Sequence, residues 1–303
     1  MCIRDRYKTT YLIGQPRNIQ IIVMQLPFCK MHGLGNDFMV INGIDHPVKL
    51  NPNMIRRWAD RHTGIGFDQL LLIESSFDRD CDFRYRIFNA DGEEVGQCGN
   101  GARCCAAYVY AKKMTTNKVI RVQTRDRKLT LHIKDHNLVE VNMGKAKLVP
   151  EEIPFTPPNP SPATNGLYLI RINQLPFEVA VANLGNPHAI VLVKDVDQTP
   201  IAKWGALIES ASSYFPQRTN VGFMQILDQA HIRLRVFERG VGETLACGSG
   251  ACAAVVVGYK LGLLAKKVWV TLPGGSLFVY IMSSGEILLT GPANFVFEGS
   301  VIL

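Results

Sequence analysis

Charged side chains are sparse in this chain, at 19% against 47% apolar, and no apolar stretch approaches the ~20 residues that cross a bilayer. The balance excludes a charge-rich disordered chain and a membrane helix, and the short run Ile19–Met24 is too brief for a signal-peptide core. A soluble, cytoplasmic protein is the expectation. Basic runs are missing too. Of the formal charge of +7, residues 1–23 supply +3 (Arg4, Arg6, Lys8 and Arg17 less Asp5; 4 − 1), and the remaining +4 is scattered. Nothing tracks a phosphate backbone, so no nucleic-acid partner is expected. The eight cysteines show no Cys-x-x-Cys spacing and no nearby His pair. That absence disfavours a zinc site and a redox dithiol, and the count does not build a secreted disulfide framework.

What is present is a repeat. Arg86 to Ala102 aligns without a gap to Arg235 to Ala251, at an offset of 149 (247 − 98). Two weaker echoes keep the order: Leu34-Gly-Asn36 with Leu184-Gly-Asn186, and Ile65 to Gln69 with Val221 to Gln225. Three collinear matches indicate an internal duplication. In each copy an alternating strand (Phe83–Phe88, His231–Phe237) leads through a Gly-rich loop into an Ala-rich, proline-free helix (Ala102–Met114, Ala251–Leu264). Further helices are expected over Pro52–Arg61 and Pro200–Ala211, the second with Thr199 as N-cap. Strands are expected over Val119–Gln123, Leu129–Ile133, Leu138–Val141, Leu167–Ile172, Val268–Leu272 and Leu277–Ile281. The fold class is therefore α+β: two pseudo-symmetric α/β domains, each a mixed sheet wrapped around a central helix, with the active site in the cleft between them. Residues 1–23 read as a disordered tail, and the proline-rich stretch Pro150–Pro162, with six prolines, as an extended strap.

The chemistry lies in Cys98-Gly99-Asn100-Gly101-Ala102 and Cys247-Gly248-Ser249-Gly250-Ala251. A cysteine at the mouth of a helix meets backbone N–H groups that have no partner inside the helix. Those donors bind an anion and are expected to lower the thiol pKa. One such cysteine reads as a packing residue; the same motif in both halves reads as a pair. Facing copies would place Cys98 and Cys247 on opposite sides of one carbon. One could remove a proton from one face while the other delivers a proton to the opposite face. Both loops would hold a carboxylate and stabilise negative charge beside the reacting carbon. A pyridoxal-phosphate racemase would leave the paired cysteines unexplained. The copies differ at Asn89 against Glu238, Ala90 against Arg239 and Asn100 against Ser249. Glu238 and Arg239 suit an ammonium and a carboxylate at the far end of a substrate, or else form an ordinary surface ion pair.

With these residues in view, the sequence resembles the diaminopimelate epimerase family over nearly all of residues 24–303. The resemblance rests on Met31-His-Gly-Leu-Gly-Asn-Asp-Phe38, Gly64-Ile-Gly-Phe-Asp-Gln69, Phe88-Asn-Ala-Asp-Gly92, Gln97-Cys-Gly-Asn-Gly-Ala-Arg-Cys104, Leu184-Gly-Asn-Pro-His188, Asn220-Val-Gly-Phe223, Glu238-Arg-Gly240 and Ala246-Cys-Gly-Ser-Gly-Ala-Cys252, in that order. It implies interconversion of LL- and meso-2,6-diaminoheptanedioate in lysine and cell-wall synthesis, by a homodimer without cofactor or metal. Cys98 and Cys247 fall on the acid/base pair, and Gly99, Asn100, Gly248 and Ser249 on the loops that hold the reacting carboxylate. Asn36, Gln69, Asn89, Asn186, Asn220, Glu238 and Arg239 fall on the other substrate contacts, and His188 and Glu238 on residues that tune the cysteines. It also implies a first domain of residues 24–142 plus 292–303, closed by a last strand returning from about Pro292, and a second domain of residues 143–291. Residues 1–23 have no family counterpart, and Arg125-Asp-Arg127 stands in a turn where Asn-Gly-like residues are common. Two alternatives remain open at this stage: a proline-racemase-like enzyme, and a catalytically silent amino-acid-binding module on the same duplicated fold.

Overall fold

The structure, a computed structural model, describes residues 8–11, 21–96, 98–135, 137–158 and 166–303. After a short strand β1 (Lys8–Tyr11), the first half runs β2 (Ile21–Gly33), β3 (Asn36–Asn42), α1 (Pro52–Ala59), β4 (Gln69–Ser75), β5 (Phe83–Asn89), β6 (Glu94–Val95), α2 (Gly99–Ala111), β7 (Val119–Gln123), β8 (Lys128–Asp135) and β9 (Leu138–Lys145). The second half opens with β10 (Tyr168–Ile172). It continues through β11 (Leu175–Asn183), β12 (Pro187–Leu192), α3 (Ile201–Glu209), β13 (Asn220–Asp228), β14 (His231–Glu238), β15 (Gly242–Thr244), α4 (Gly248–Lys260), β16 (Lys267–Leu272), β17 (Gly275–Ile281), β18 (Glu286–Pro292) and β19 (Asn294–Ile302).

The halves repeat in their pairing as well as their order. In the first, β2–β3 is antiparallel, β3–β4 parallel, β4–β5 antiparallel, β5–β7 parallel, and β7–β8 and β8–β9 antiparallel. In the second, β11–β12, β12–β13, β13–β14, β14–β16, β16–β17 and β17–β18 follow the same sequence of senses. Helices α1 and α3 lie in the β3–β4 and β12–β13 crossovers, and α2 and α4 in the β5–β7 and β14–β16 crossovers. The halves are joined where β18 pairs with β9 and where β19, after Pro292, lies antiparallel to β2.

Helices α2 and α4 are buried over most of their length because they are apolar all round rather than on one stripe. They share one continuous core with the inner faces of both sheets. Separate clusters lie under α1, around Ile55, Trp58 and Phe67, and under α3, around Phe155, Phe215 and Phe223. No helix among the described residues is long and apolar enough to cross a membrane.

Several boundaries differ from the sequence reading. Both central helices start three residues earlier than expected, at Gly99 and Gly248, because the glycines that lower helix propensity form the first turn. The second glycine is closely packed in each copy, so that a larger residue would press on its neighbour. A Cβ on Gly101 would stand 3.2 Å from Leu71 Cδ2, and one on Gly250 would stand 3.1 Å from Val236 Cγ2. Helix α3 is capped by Pro200, not Thr199, whose hydroxyl donates instead to the Asp195 carbonyl at 2.6 Å. Part of the stretch read as a tail is a strand: Lys8–Tyr11 pairs antiparallel with Ile21–Met24. The rest of that reading, residues 1–7 and 12–20, lies outside the described residues. The proline-rich stretch opens with a 3-10 turn at Pro150–Glu152 and buries Ile153 and Phe155, so it anchors rather than merely crosses a surface. Its continuation over 159–162 lies outside the described residues.

Candidate active site

Cys98 and Cys247 occupy the same position in the two halves, each as the N-cap residue of its central helix. Their backbones are extended, with φ −146° and ψ 124° at Cys98 and φ −122° and ψ 109° at Cys247. The first-turn N–H groups of Gly99, Asn100, Gly248 and Ser249 have no acceptor inside their own helices, the setting in which an anion binds. The Cys247 sulfur accepts from the Gly250 N–H at 3.4 Å and lies 3.6 Å from Ser249 Oγ. The Cys98 thiol donates to Asn36 Oδ1 at 3.5 Å. Both cysteines are free. The two loops touch: Asn100 Nδ2 donates to the carbonyl of Ala246, the residue before Cys247, at 3.3 Å.

The expectation of lowered thiol pKa values is reversed. Burial pushes Cys98 up to about 11, and the Gly101 and Asn100 N–H groups, which lower it, do not compensate. Burial likewise raises Cys247 well above its ordinary value, with the Glu238 carboxylate adding to the rise and Ser249 and Gly250 opposing it. Helix-terminus donors act here, but removing the sulfur from water outweighs them.

The remaining candidates gather at the same end of each half. Asn36 opens β3, Gln69 opens β4 and Asn89 closes β5; Asn186 precedes β12, Asn220 opens β13 and Glu238 closes β14. The repeated topology thus carries three polar positions from each half to the edge where its cysteine stands. Gln69 Nε2 donates to Asn89 Oδ1 at 2.9 Å. Asn36 Nδ2 donates to Asp68 Oδ2 at 3.0 Å, and Arg61 in turn pairs with Asp68 and Asp37. Glu238 takes the Thr244 hydroxyl at 2.6 Å and the Cys247 thiol, yet burial holds its carboxyl above the ordinary range. Asn220, 3% exposed, donates to the Pro187 carbonyl at 3.0 Å and accepts from the Arg239 N–H at 3.0 Å. The exposed Arg239 guanidinium donates to the Gln217 carbonyl at 3.0 Å, leaving donors for a ligand.

His188 is fully buried beside Asn220 in the β12–β13 ladder. Its Nε2 lies 3.1 Å from Asn186 Oδ1, and its Nδ1 has no partner among the described residues. Burial, with Arg239 adding to it, pushes its pKa down to about 3, so the ring is neutral. Its hydrogen bond sets it against Asn186, its strand register sets it beside Asn220, and Arg239 acts on it through charge. Residues that the sequence reading did not select also belong here: Asp68, which orients Asn36; Thr244, on Glu238; and Arg103, on Asn100. A lone charge inside an apolar helix was the signal for Arg103. Among the described residues no group of three or more His, Cys, Asp or Glu side chains is placed to hold a metal.

Comparison with known proteins places this geometry. The family profile described as Diaminopimelate epimerase matches residues 28–149 and 180–296. A diaminopimelate epimerase of Neisseria meningitidis is 50% identical over 278 residues, covering 91% of this chain and 98% of that protein. Another, of a Psychrobacter species, is 50% identical over 278 residues, covering 91% of this chain and 94% of its own length. Among solved structures, a Bacillus anthracis phenazine biosynthesis protein of the PhzF family superposes with a TM-score of 0.65 at 15% identity, covering 92% of this chain and 99% of that one. A hydroxyproline epimerase from Agrobacterium vitis, with bound trans-4-hydroxy-L-proline, gives a TM-score of 0.65 at 14% identity, covering 92% of this chain and 91% of the other. Those two likenesses speak to the fold alone.

Proposed function

The chain belongs to the diaminopimelate epimerase family, and on that premise we propose how its own residues invert the substrate. It is an isomerase that interconverts LL- and meso-2,6-diaminoheptanedioate, a step of lysine biosynthesis. Cys98 and Cys247 are the proton-transfer pair. In one direction a thiolate takes the α proton from one face, and the opposite thiol delivers its own proton to the other face of the resulting carbanion. The first cysteine ends as thiol and the second as thiolate, which readies the enzyme for the reverse direction. No cofactor enters the reaction.

The single observation that carries this reading is the matched N-cap placement of the two cysteines, with their loops in contact through Asn100 and Ala246. The first-turn N–H groups of Gly99, Asn100, Gly248 and Ser249 hold the reacting carboxylate and stabilise charge as it develops on the α carbon. Asn36, Gln69 and Asn89 take the near ammonium. Asn186, Asn220 and Arg239 take the distal amino-acid end, for which the solvent-facing Arg239 fork is suited. Glu238 tunes Cys247, a role that its hydrogen bond to that thiol supports. His188 acts on this site through Asn186 and Asn220.

The chain divides into a domain of residues 24–142 plus 292–303 and one of residues 143–291, with the cleft between them as the active site; the pairing of β19 with β2 supports that division. A homodimer is supported by the exposed apolar side chains of β19, among them Phe295, Val296 and Phe297. The scattered charge fits a cytoplasmic enzyme of small amino acids with neither nucleic acid nor membrane as partner.

Incubating the purified protein with LL-diaminopimelate, and separately with L-proline, then resolving stereoisomers by chiral chromatography, tests this function. Meso product from the first alone is expected. Racemised proline with untouched diaminopimelate would replace this reading with a proline-racemase-like one.

A further inference from the structure

Arg103 sits one turn inside α2 and is fully buried. Its neighbours along the helix, Ala102, Cys104, Cys105 and Ala106, are all apolar or thiol and equally hidden. Among the described residues Arg103 forms no ion pair, although an unpaired cation in a protein interior is costly. Its guanidinium is instead spread over three neutral acceptors. Nε donates to the Pro292 carbonyl at 3.2 Å, Nη1 to the Gly99 carbonyl at 3.4 Å and Nη2 to Asn100 Oδ1 at 2.8 Å. Glycines make room for it: a Cβ on Gly33 would lie 3.2 Å from Nη2, and one on Gly291 would lie 3.2 Å from Nε.

The bond to Asn100 has consequences for both cysteines. With its oxygen taken by the guanidinium, the Asn100 carboxamide must turn its Nδ2 the other way, because the reverse orientation would set N–H against N–H. That Nδ2 reaches the Ala246 carbonyl at 3.3 Å, next to Cys247, and Asn36 Oδ1 at 3.2 Å. Asn36 Oδ1 is also the acceptor of the Cys98 thiol. Its own orientation is held from the far side by the Asp68 carboxylate on Nδ2. One buried cation therefore sets a chain of amides that runs from Cys98 to the loop of Cys247. Its third contact, Pro292, is where the chain crosses from β18 to β19.

We propose that Arg103 is a positioning residue that locks the Asn100 carboxamide and thereby couples the two cysteine loops, so that both thiols address the same carbon. This rests on the two-cysteine reading above. The loss of alignment acts on the chemical step more than on substrate capture, since the guanidinium is not offered to the substrate. The charge has a second effect. Cys98, Cys104 and Cys252 are the titratable groups that feel Arg103, with no carboxylate among them, and the cation favours the Cys98 thiolate.

Three variants separate these effects: Arg103→Met, which fills the slot without donors or charge; Arg103→Lys, which keeps charge without the fork; and Gly33→Ala, which presses a methyl on Nη2 and the Asn100 Cβ at 3.3 Å. Each is assayed for kcat, KM and the pH profile of kcat/KM with LL-diaminopimelate, alongside its melting curve. Arg103→Met is expected to lose about 10²-fold in kcat, as a misplacement near 1 Å does, with KM little changed and the acid limb moved to higher pH. Arg103→Lys loses kcat without moving the limb, and Gly33→Ala loses several-fold in kcat while keeping the full charge. Folded Arg103 variants with wild-type kcat and an unmoved limb overturn the proposal. If Arg103→Met does not fold, Gly33→Ala decides, and its wild-type kcat would be the contradiction. A wild-type protein that makes no meso product would instead sink the parent reading, a result distinct from either.

Discussion

The Cys98 thiol donates to the Asn36 carboxamide oxygen at 3.5 Å, whereas the Cys247 thiol meets the Glu238 carboxylate and its sulfur accepts from the Gly250 N–H at 3.4 Å. Two cysteines at repeated positions thus meet different side chains, a neutral carboxamide at Cys98 and a carboxylate at Cys247. The difference continues outward, to Asp68 behind Asn36 and to Glu238 beside Cys247. Inversion at one carbon needs faces treated alike in geometry and unlike in protonation, and this arrangement supplies both.

The thiols predict a pH profile. The active base is the thiolate, and Cys98 titrates at about 11 with Cys247 also raised. kcat/KM should therefore increase with pH from neutrality into the alkaline range. The linked stability runs the other way. A folded pKa above the unfolded one favours the native state below the unfolded value, and that favour is lost as pH rises through the folded value. Urea midpoints should fall between the ordinary thiol value of 9.0 and about 11. A flat kcat/KM from pH 6 to 10 (~4 units of titration, far wider than a single group spans) would contradict the assignment of raised thiols.

His188 predicts an acid window. Its folded pKa of about 3 lies below the ordinary 6.5, so its contribution is present above that value and is lost as pH falls toward 3. The full loss is on the order of 5 kcal/mol. Chemical denaturation across this range should show the decline in wild type and a shallower one in His188→Gln. Equal slopes would place the acid lability elsewhere.

Much of this fold was legible in the sequence where a pattern was repeated or periodic. The Cys-Gly-x-Gly-Ala motif marked both central helices, and β7 was read with the right ends because Ile120 and Val122 alternate with exposed neighbours. Strands β3, β4 and β13 were missed because Phe38–Ile41, Leu70–Ile73 and Val221–Met224 are buried on both faces, which erases the two-residue period. In the site, the residue types and spacing were visible, but the sign of the thiol shift was not. Helix-terminus donors can be read from a motif, whereas the burial that outweighs them is a tertiary property. Asp68 and Arg103 escaped for the same reason: Asp68 acts through Asn36, distant in sequence, and Arg103 through Asn100, whose contact with the Cys247 loop is a tertiary one.

Leu289 predicts a coupling between packing and chemistry. It is fully buried on β18, with its Cδ2 3.9 Å from where a Cβ on Gly99 would stand and 3.0 Å from one on Gly248. Leu289→Ala should cost about 2–5 kcal/mol of stability, read from urea unfolding, and lower kcat because both loops lose their common support. Unchanged kcat in a folded variant would show that the loops hold themselves.

Arg239 predicts the basis of substrate choice. If its fork binds the distal carboxylate, Arg239→Lys should lower kcat/KM for diaminopimelate by about 2–4 kcal/mol in transition-state binding, since an ammonium lacks the bidentate geometry. Steady-state kinetics check this directly. A variant as efficient as wild type would remove Arg239 from the distal site.

The central claim is that two cysteines on opposite faces carry the protons, and isotope placement tests it most directly. LL-diaminopimelate is incubated in D2O with wild type, Cys98→Ala and Cys247→Ala, and deuterium is located by mass spectrometry in substrate and product at early times. Wild type should give meso product with one deuterium at the inverted carbon while the remaining LL substrate stays nearly unlabelled. Each alanine variant should remain folded and lose at least ~10²-fold in inversion. Near wild-type inversion by either variant would contradict the account.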